Sequence, residues 1–467
     1  MKRYLIWILI LLFGCAYSLY SIVRHLRLDS FIFDLGVYDQ IIWLAAKGKP
    51  LFSSILEAHP WGDHFTPTLL LLTPLYWIWD NVIILLIFQA FFAAFGAYPI
   101  YLLAKKKIKN EWLSLTAAFA YLSFYGIQNA IAFDFHPIVL ASTPLAWLFW
   151  FYEKRQFKLF WITILLFIGL QENLFLLASA LGVFLILRYR DFKRGAFLAV
   201  VSLSLFFLVI LVVIPSFGQA PFTYLPTHLR TLTIGGAVKM FFSPFSKIQV
   251  MLVTPLAFGL LPFLSPAAWI MLLEEYLQRF VGTPISTRWS LGFQYNAILA
   301  PIVAFAAIEA IQKHFLNKKW LAAGLILGGM LTTQIFTAPS LNDLSQGEFY
   351  DFSKTKNAKE VLTALPPEAS VASTNNLGPQ ITHREDIIFL TNCVDEPAVW
   401  RSDVKRCFSL KPDYIVADLD PQGSWNDWYP DGSREKLVSY IDYLQQNGKY
   451  HVVKQAGYAV LLEKGQP

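Results

Sequence analysis

The sequence predicts a mainly α-helical, polytopic membrane protein with a small α/β domain at its C-terminal end. Three observations lead to this fold class. The 467 residues are 56% hydrophobic, with a mean hydropathy of +0.47, which is more apolar than a soluble domain of this size needs. Several apolar runs approach the roughly 20 residues that cross a bilayer as a helix. After residue 340 these runs stop and the composition becomes polar.

The basic residues predict the orientation in the membrane. Residues 4–23 carry no charge and follow a basic start, Met1-Lys2-Arg3, so we expect an uncleaved first span with a cytoplasmic N-terminus. Basic residues cluster in short loops typical of the cytoplasmic side, at 105–109, 154–158, 188–194 and 313–319. We therefore expect a cell-membrane protein with about 10 to 12 spans and an extracytoplasmic C-terminal domain.

Each span is predicted from its own apolar run. Segment 67–79 is short and is expected to be tilted or partly inserted. The remaining predicted spans are 81–104, 112–126, 137–152, 159–170, 174–187, 196–215, one or two passes within 248–280, 296–312 and 320–338. Outer loops are expected at 24–66 and 216–247.

The C-terminal region shows the alternation and turn residues of an α/β domain. Strands are predicted at 370–373, 387–390, 414–417, 451–454 and 458–462, and helices at 354–364 and 434–446. We therefore expect two domains: a transmembrane domain over 1–339, including outer loop 24–66, and an extracytoplasmic domain over 340–467 that closes its own small core.

Charge and motifs exclude several function classes. The net charge of +6 comes largely from the basic loops and does not indicate binding to nucleic acid. The sequence contains no Walker A loop, GxSxG or CxxC motif and no dinucleotide fingerprint beside a strand, so ATP-driven transport and nucleotide chemistry have no support. Cys393 and Cys407 lie in the predicted extracytoplasmic domain, where a disulfide could form.

Ionisable side chains recur at the predicted outer face, where they are costly and are therefore functional candidates. If 33–44 forms an interfacial helix, Tyr38 lies one turn after Asp34. Asp34 and Asp39 would then point in different directions unless Gly36 breaks the helix. The alternative for Asp34 is a helix N-cap, and the alternative for Asp39 is a solvated face.

Two later segments bring further candidates to the same face. Asp134 and His136 stand among aromatic residues in the segment 133–137, where a turn and cap before Pro137 is the alternative. Glu172 interrupts an apolar stretch, and a position at mid-membrane would instead favour transport. We expect these side chains and Asp34 to line one cavity.

Other side chains at the predicted outer face suit a cation or a phosphate. His64 and Asp63 are candidate ligands of a divalent cation, with a hydrogen-bonded interfacial histidine as the alternative. Arg230, Arg279 and Arg288 lie in predicted outer segments, where guanidinium groups suit a lipid phosphate. Contact with lipid headgroups is the alternative for each arginine.

Most of the chain resembles a family of prokaryotic polytopic membrane proteins classed as a domain of unknown function. The resemblance rests on residues 33–43 (FDLGVYDQIIW), 64–67 (HFTP), 74–76 (PLY), 133–137 (FDFHP), 171–172 (QE), 295–296 (YN), 372–375 (ASTN) and 413–416 (DYIV). That family more distantly resembles the GT-C glycosyltransferases, whose first outer loop often reads Asp-Glu-x-x-Tyr. Asp34 and Tyr38 keep that spacing, whereas Leu35 replaces the second acidic residue, which argues against a metal at 34–35.

The GT-C resemblance implies transfer of a sugar from a polyprenyl-phosphate donor, with inversion, to an extracytoplasmic glycan, lipid or protein acceptor. Asp34 is the candidate general base. The candidate substrate-binding residues are Tyr38, Asp39, Asp134, His136, Glu172, Arg230 and Arg288. A transporter or flippase for a lipid-linked or small polar solute, and a non-catalytic envelope assembly protein, are the alternatives.

Overall fold

A computed structural model of the chain describes residues 4–218, 222, 224, 227–283, 285–337, 340–390, 412–421 and 433–465. It is mainly helical and has one small sheet near the C-terminus, so the predicted fold class is confirmed. The chain divides into two compact units. The first unit comprises Met1–Tyr20, Trp61–Leu71 and Leu86–Leu344, and the second comprises Ser21–Pro60, Leu72–Leu85 and Ser345–Pro467. Cys393 and Cys407 lie outside the described residues.

The helices follow the predicted order. They are α1 Leu5–Leu26, α2 Val37–Ala46, α3 Thr73–Ile78, α4 Ile83–Phe95, α5 Ala97–Ile108, α6 Glu111–Leu122, α7 Tyr125–Ile131, α8 Pro137–Glu153, α9 Phe157–Ile168, α10 Leu174–Tyr189, α11 Phe192–Leu208, α12 Ile214–Phe217, α13 Ile234–Phe242, α14 Phe245–Leu256, α15 Trp269–Phe280, α16 Leu299–His314, α17 Lys319–Thr337, α18 Lys356–Leu362 and α19 Ser433–Gln446. π-Helical turns at Ile32–Gly36 and Val209–Val213 precede α2 and follow α11.

Several helices are long and apolar enough to cross a membrane. Among the described residues there are 4 such helices, Leu5–Leu26, Ile83–Ile108, Phe192–Phe217 and Lys319–Thr337, or up to 5 if the pair Ser286–Asn296 and Leu299–His314, bent by 69°, is one span. Shorter apolar helices are Pro67–Ile78, Phe157–Ile168, Leu174–Tyr189 and Phe245–Leu256. A total of about 10 to 12 spans requires such shorter or broken helices to cross as well. The sidedness of the termini stays a prediction.

Close helix packing in the first unit uses small residues. α10 crosses α11 where Gly182 faces Gly195, and a Cβ added to Gly182 would lie 2.6 Å from the carbonyl oxygen of Gly195. Glycines at such crossings let two helix backbones approach. α16 is buried along most of its length, and its Glu309 pairs with Arg188 of α10 and accepts a hydrogen bond from Ser265 Oγ at 2.8 Å. The buried carboxylate is thus paired and hydrogen-bonded, as burial requires.

The second unit contains a five-stranded sheet in the order β2-β1-β3-β5-β4. The strands are β1 Val371–Ser373, β2 Ile387–Phe389, β3 Tyr414–Asp418, β4 Tyr450–Ala456 and β5 Ala459–Lys464. β1 pairs in parallel with β2 and β3, whereas β5 runs antiparallel to β3 and β4. Each predicted strand and both predicted helices of this region are present.

The sheet packs on a different partner at each face. One face, with Ile388 and Leu462, packs against α19 residues such as Leu437 and Ile441. The other face shares its core with the first outer loop, which contributes the buried side chains of Leu28, Ile32, Val37, Ile41, Ile55 and Leu56. The core is therefore not closed by residues 340–467 alone, and residues 24–60 of the loop belong to the same compact unit as the C-terminal domain. The sequence could not show this, because apolar loop residues at an outer face also fit membrane contact.

Candidate functional site

Asp34 lies in the π-helical turn that leads into α2. The backbone N–H of Gly36 donates to the carbonyl of Phe31, five residues earlier, at 3.2 Å, which is the π-helical pattern. The turn supplies the break that sequence analysis required between Asp34 and Asp39. Phe31 is the N-cap residue of this turn and Asp34 is half-buried, so Asp34 is not the helix cap. Single π-helical turns are frequent at functional sites.

Asp39, in the first turn of α2, is fully buried at 0% exposure. Its carboxylate accepts hydrogen bonds from the hydroxyl groups of Tyr76 and Thr382. His383 Nε2 lies 3.3 Å from Asp39 Oδ2 and 3.4 Å from Oδ1. Both carboxylate oxygens therefore already accept from protein donors, which excludes the solvated face considered from the sequence. We call Asp39, Tyr76, Thr382, His383 and Asp80 the Asp39 junction; all of these residues belong to the second unit.

The imidazole of His383 bridges two carboxylates. Its Nδ1 lies 2.9 Å from Asp80 Oδ1, and Asp80 in turn pairs with Lys47 at 2.7 Å. The ring also stacks on Trp43, with 5.5 Å between centroids. Burial by itself lowers the pKa of the His383 imidazole, but the carboxylates of Asp39 and Asp80 outweigh burial and raise this pKa. The junction thus favours an imidazolium ion that donates to both carboxylates.

A second charged cluster lies in the first unit, around His64 and Glu172. His64 Nδ1 is 2.8 Å from Glu172 Oε1, and the backbone N–H of Phe65 donates to Glu172 Oε2 at 3.1 Å. Burial opposes ionisation of both groups. The pKa of Glu172 is nevertheless lowered by His64 and by backbone N–H donors, and the pKa of His64 is raised by Glu172 and Asp63. Both pKa directions favour an ion pair between the half-buried His64 and the buried Glu172.

Aromatic contacts connect this ion pair to two arginines. The His64 ring stacks on Tyr224 at 4.8 Å, and the Arg288 guanidinium lies 5.2 Å from the centroid of the same tyrosine ring. Arg279 Nε donates to the carbonyl of Arg288 at 2.7 Å, and Arg279 Nη2 donates to Asn296 Oδ1 at 2.7 Å. We call His64, Glu172, Arg279 and Arg288 the arginine network.

Several buried polar atoms of this region lack a protein partner. Arg279 is only 4% exposed, yet its Nη1 has no hydrogen-bond partner among the described residues, and neither has Arg288 Nε. The same is true, within the described part of the chain, of acceptor atoms on nearby elements: Glu274 Oε2, Ser290 Oγ and Gln294 Oε1. Folded proteins leave few such atoms unpaired. The arrangement therefore suits a polar ligand that accepts from guanidinium groups and donates to oxygens.

Asp134 and His136 are also buried in the first unit. Asp134 has a φ of 98°, a region that non-glycine residues rarely adopt and that is often found at functional sites. Gln89 holds the turn, because its side chain donates to the carbonyl of Asp134 at 2.7 Å and accepts from the N–H of His136 at 2.8 Å. His136 is the N-cap residue of α8 without a side-chain capping bond, so capping does not account for its imidazole.

The other predicted residues divide between buried and exposed positions. Tyr38 is buried, whereas Arg230 is exposed. Asp34, Tyr38 and Asp39 belong to the second unit and the remaining candidates to the first, so the single cavity expected from the sequence stays a prediction. No group of three or more metal-ligating side chains occurs among the described residues. The cation expected at His64 and Asp63 also stays a prediction, and we assign it no chemical step.

Sequence reasoning missed several of the residues that complete these clusters. Thr382 and His383 lie 343 and 344 positions from Asp39. No local sequence pattern predicts a partner so far away along the chain. Tyr76 was noted only as part of the PLY segment.

The described helices and the five-stranded sheet define a mainly helical membrane protein with a small C-terminal sheet. A solved structure of similar fold is ArnT from Cupriavidus metallidurans bound to undecaprenyl phosphate. The TM-score is 0.51 with 13% sequence identity, over 96% of this chain and 97% of that chain. At this identity the likeness concerns the fold alone, and the GT-C-like fold expected from the sequence is confirmed.

The chain belongs to DUF2079, a family of predicted membrane proteins, whose family model matches residues 24–461. The resemblance noted from the sequence motifs is therefore confirmed. Among curated proteins no match to this chain is found.

Proposed function

We propose that this protein transfers a sugar from a polyprenyl-phosphate donor to an extracytoplasmic acceptor. The observation that carries the proposal is the buried Arg279 with its unpartnered Nη1, beside Arg288, in a fold shared with a protein whose structure holds undecaprenyl phosphate. A buried N–H without an acceptor costs about 1–3 kcal/mol. Guanidinium groups match phosphate oxygens in geometry and charge. A lipid phosphate would satisfy both arginines.

The arginine network suits the leaving group of such a transfer. Charge builds up on the phosphate as its bond to the anomeric carbon breaks, and preorganised cations stabilise that charge most effectively in a buried site. Arg279 and Arg288 supply positive charge, while Glu172 fixes His64 in place. The oxygens of Glu274, Ser290 and Gln294 that lack protein donors would accept hydrogen bonds from sugar hydroxyl groups.

Of the two aspartates in the first loop, Asp34 is the better candidate for the general base. Asp39 has both oxygens engaged by protein donors and is fully buried, which leaves it no access to an acceptor. Asp34 is half-buried at a π-helical turn. In the proposed step Asp34 takes the proton of the acceptor hydroxyl while the hydroxyl oxygen attacks the anomeric carbon of the donor sugar. The carbon–phosphate-oxygen bond breaks, its electron pair remains on the phosphate, and the configuration inverts.

The position of Glu172 bears on the transport alternative. Transport would be favoured by a carboxylate in the middle of a single long helix. Glu172 instead lies in the turn between α9, which ends at Ile168, and α10, which begins at Leu174, and it is paired with His64. Nothing about this carboxylate therefore favours transport over transfer.

Binding of undecaprenyl phosphate to the detergent-solubilised protein tests the phosphate site. Native mass spectrometry should show saturable binding, and Arg288→Ala should weaken it by about 10–100-fold, because one charge-assisted interaction of about 1.5–3 kcal/mol is lost. Lys239→Ala is the matched control, since Lys239 is an exposed cation on α13 of the same unit. Equal affinity of wild type and Arg288→Ala would overturn the assignment of the phosphate to the arginine network.

Turnover can be followed without knowing the sugar, because every such donor leaves the same polyprenyl phosphate. Lipid-linked sugars in cells that express the protein are quantified by mass spectrometry. The donor should be consumed by wild type and should accumulate with Asp34→Asn, since a general base contributes about 10²–10⁴-fold to the rate. Glu435→Gln, an exposed carboxylate change on α19, is the control. Consumption that is unaffected by Asp34→Asn would sink the proposed mechanism.

A further inference from the structure

The segment 32–40 is held by a single stretch of the C-terminal domain, residues 374–385. The backbone N–H of Ile32 lies 3.0 Å from the backbone carbonyl oxygen of Asn375 and 2.9 Å from its side-chain Oδ1. Gly378 packs so closely on Ile32 that an added Cβ would lie 2.5 Å from Ile32 Cδ1. The start of the π-helical turn is therefore fixed by its contacts with Asn375 and Gly378 within the second unit.

The other end of the segment is fixed by two buried polar side chains. Gln40, at 0% exposure, donates through Nε2 to the carbonyl oxygens of Arg384 and Glu385, each at 3.2 Å. Asp39 accepts from Thr382 and His383. A Cβ added to Gly36 would lie 3.3 Å from the Thr382 methyl group, so the middle of the segment also touches the C-terminal domain.

The contacting positions follow the spacing of one helix face. Ile32, Gly36, Asp39 and Gln40 are separated by four, three and one residues, which places them on one side of the helical segment. Asp34 is not among them, yet it lies between the first two. Contacts on both sides of Asp34 thus determine where its turn lies.

We propose that residues 374–385 position the π-helical turn that carries Asp34, and that His383 is a positioning residue, which fixes Asp39 and through α2 the turn itself. The proposal rests on the proposed function for its consequence in catalysis. His383 suits this task because it alone, among the described donors to Asp39, also contacts a second carboxylate, Asp80. The ring thereby ties α2 to the segment after α3.

A small displacement of Asp34 is enough to lower the reaction rate. Reacting groups held about 3–3.5 Å apart lose as much as roughly 100-fold in rate for a 1 Å misplacement. The charged groups that face His383 are Asp39 on α2, Asp80 after α3 and Lys47 after α2. Removal of the imidazole leaves Asp39 with two hydroxyl donors and breaks the link between Asp39 and Asp80, so that Asp80 is tied to the end of α2 through Lys47. The helix should then shift or become mobile, while the sheet keeps both of its apolar cores.

The experiment compares His383→Ala and His383→Gln, which retains a hydrogen-bond donor, with His451→Ala as control. His451 is an exposed histidine on β4 of the same domain. Hydrogen exchange of the intact protein is followed in peptides from 31–46 and from β1 and β2, together with undecaprenyl phosphate binding and donor consumption. His383→Ala should speed exchange in 31–46 and lower consumption by about 10–100-fold. It should leave lipid binding unchanged, and His383→Gln should restore much of both losses.

Two results would overturn the proposal. Unchanged exchange in 31–46 would show that His383 does not hold the turn. Faster exchange throughout β1 and β2, with no recovery in His383→Gln, would assign His383 to folding alone. Failure of the proposed function is distinguishable, because Asp34→Asn would then leave donor consumption intact while the exchange data still decide whether His383 holds the turn.

Discussion

Two buried charged side chains, one in each unit, differ in how completely they are hydrogen-bonded. In the second unit the carboxylate of Asp39 is surrounded by protein donors on both oxygens. In the first unit Arg279 is almost as buried but keeps one N–H group without a partner among the described residues. A fully satisfied buried network makes a structure rigid, whereas a partly satisfied one costs free energy until something completes it. In the proposed function, Asp39 therefore belongs to the scaffold and Arg279 to the ligand site.

The largest expected effect concerns the core that the first loop shares with the sheet. Residues 340–467 alone should lack cooperative unfolding, because six buried side chains of the first loop are missing and each contributes about 1.5–3 kcal/mol. Linking residues 21–60 to this fragment should restore a cooperative transition in circular dichroism. A linked fragment with Ile32→Ser and Ile41→Ser is the control. Cooperative unfolding of the unlinked fragment would show that the sheet needs only its α19 face.

The Asp39 junction should give the next largest effect. Asp39→Ala removes the acceptor of Tyr76, Thr382 and His383 and should destabilise the second unit by about 3–5 kcal/mol, as loss of one partner of a buried charged network does. Asp34→Asn, five positions earlier, should leave stability within about 0.5 kcal/mol. Hydrogen exchange in β1 and β2 measures both. Similar losses for the two variants would remove the distinction between a scaffold carboxylate and a functional one.

Ligand binding should stabilise the first unit. Undecaprenyl phosphate at 100 times its Kd should add about 2.7 kcal/mol to the free energy of unfolding. Exchange should slow in peptides from α15 and from Ser286–Asn296, where the unpartnered atoms lie. Peptides from β1 and β2 serve as the internal reference. Protection that is confined to the sheet would place the lipid away from the arginine network. The ligand site would then lie in the second unit.

The pH dependence should be the smallest effect and differs between the clusters. The pKa of His64 is raised in the fold. Its contribution to the free energy of unfolding is therefore complete below the unfolded pKa of about 6.5 and is lost as pH rises through the folded pKa. The pKa of Glu172 is lowered, so its contribution is complete above about 4.3 and is lost as pH falls further. The pair should therefore stabilise the fold most between these limits.

The contribution of His383 to the free energy of unfolding should be lost only as pH rises, because the pKa of His383 is raised in the fold. Exchange measured from pH 5 to pH 9, as protection factors, should show His64→Gln removing the alkaline loss near residues 64–75 and His383→Gln removing it in 31–46. A loss that persists in both variants would assign the pH dependence to other groups.

The sequence by itself determined the membrane class, the order of the helices, the strands of the sheet and the family. These properties rest on local patterns, because apolar run length and period report directly on the element that each segment forms. It also selected Glu172, Arg288 and His64, since ionisable groups beside apolar runs are costly wherever they are placed.

Tertiary structure alone decided which groups pair. The sequence did not indicate that Asp39 is a buried acceptor for Tyr76 and His383, because hydrogen bonds between residues hundreds of positions apart leave no local period. It did not indicate that the first loop completes the core of the C-terminal sheet. It proposed Asp34 as the general base and Asp39 as a substrate-binding residue, and only the structure showed that Asp39 is buried and bonded to protein donors. The chemical type of a side chain determines what it can bind, whereas the tertiary structure determines which groups it contacts.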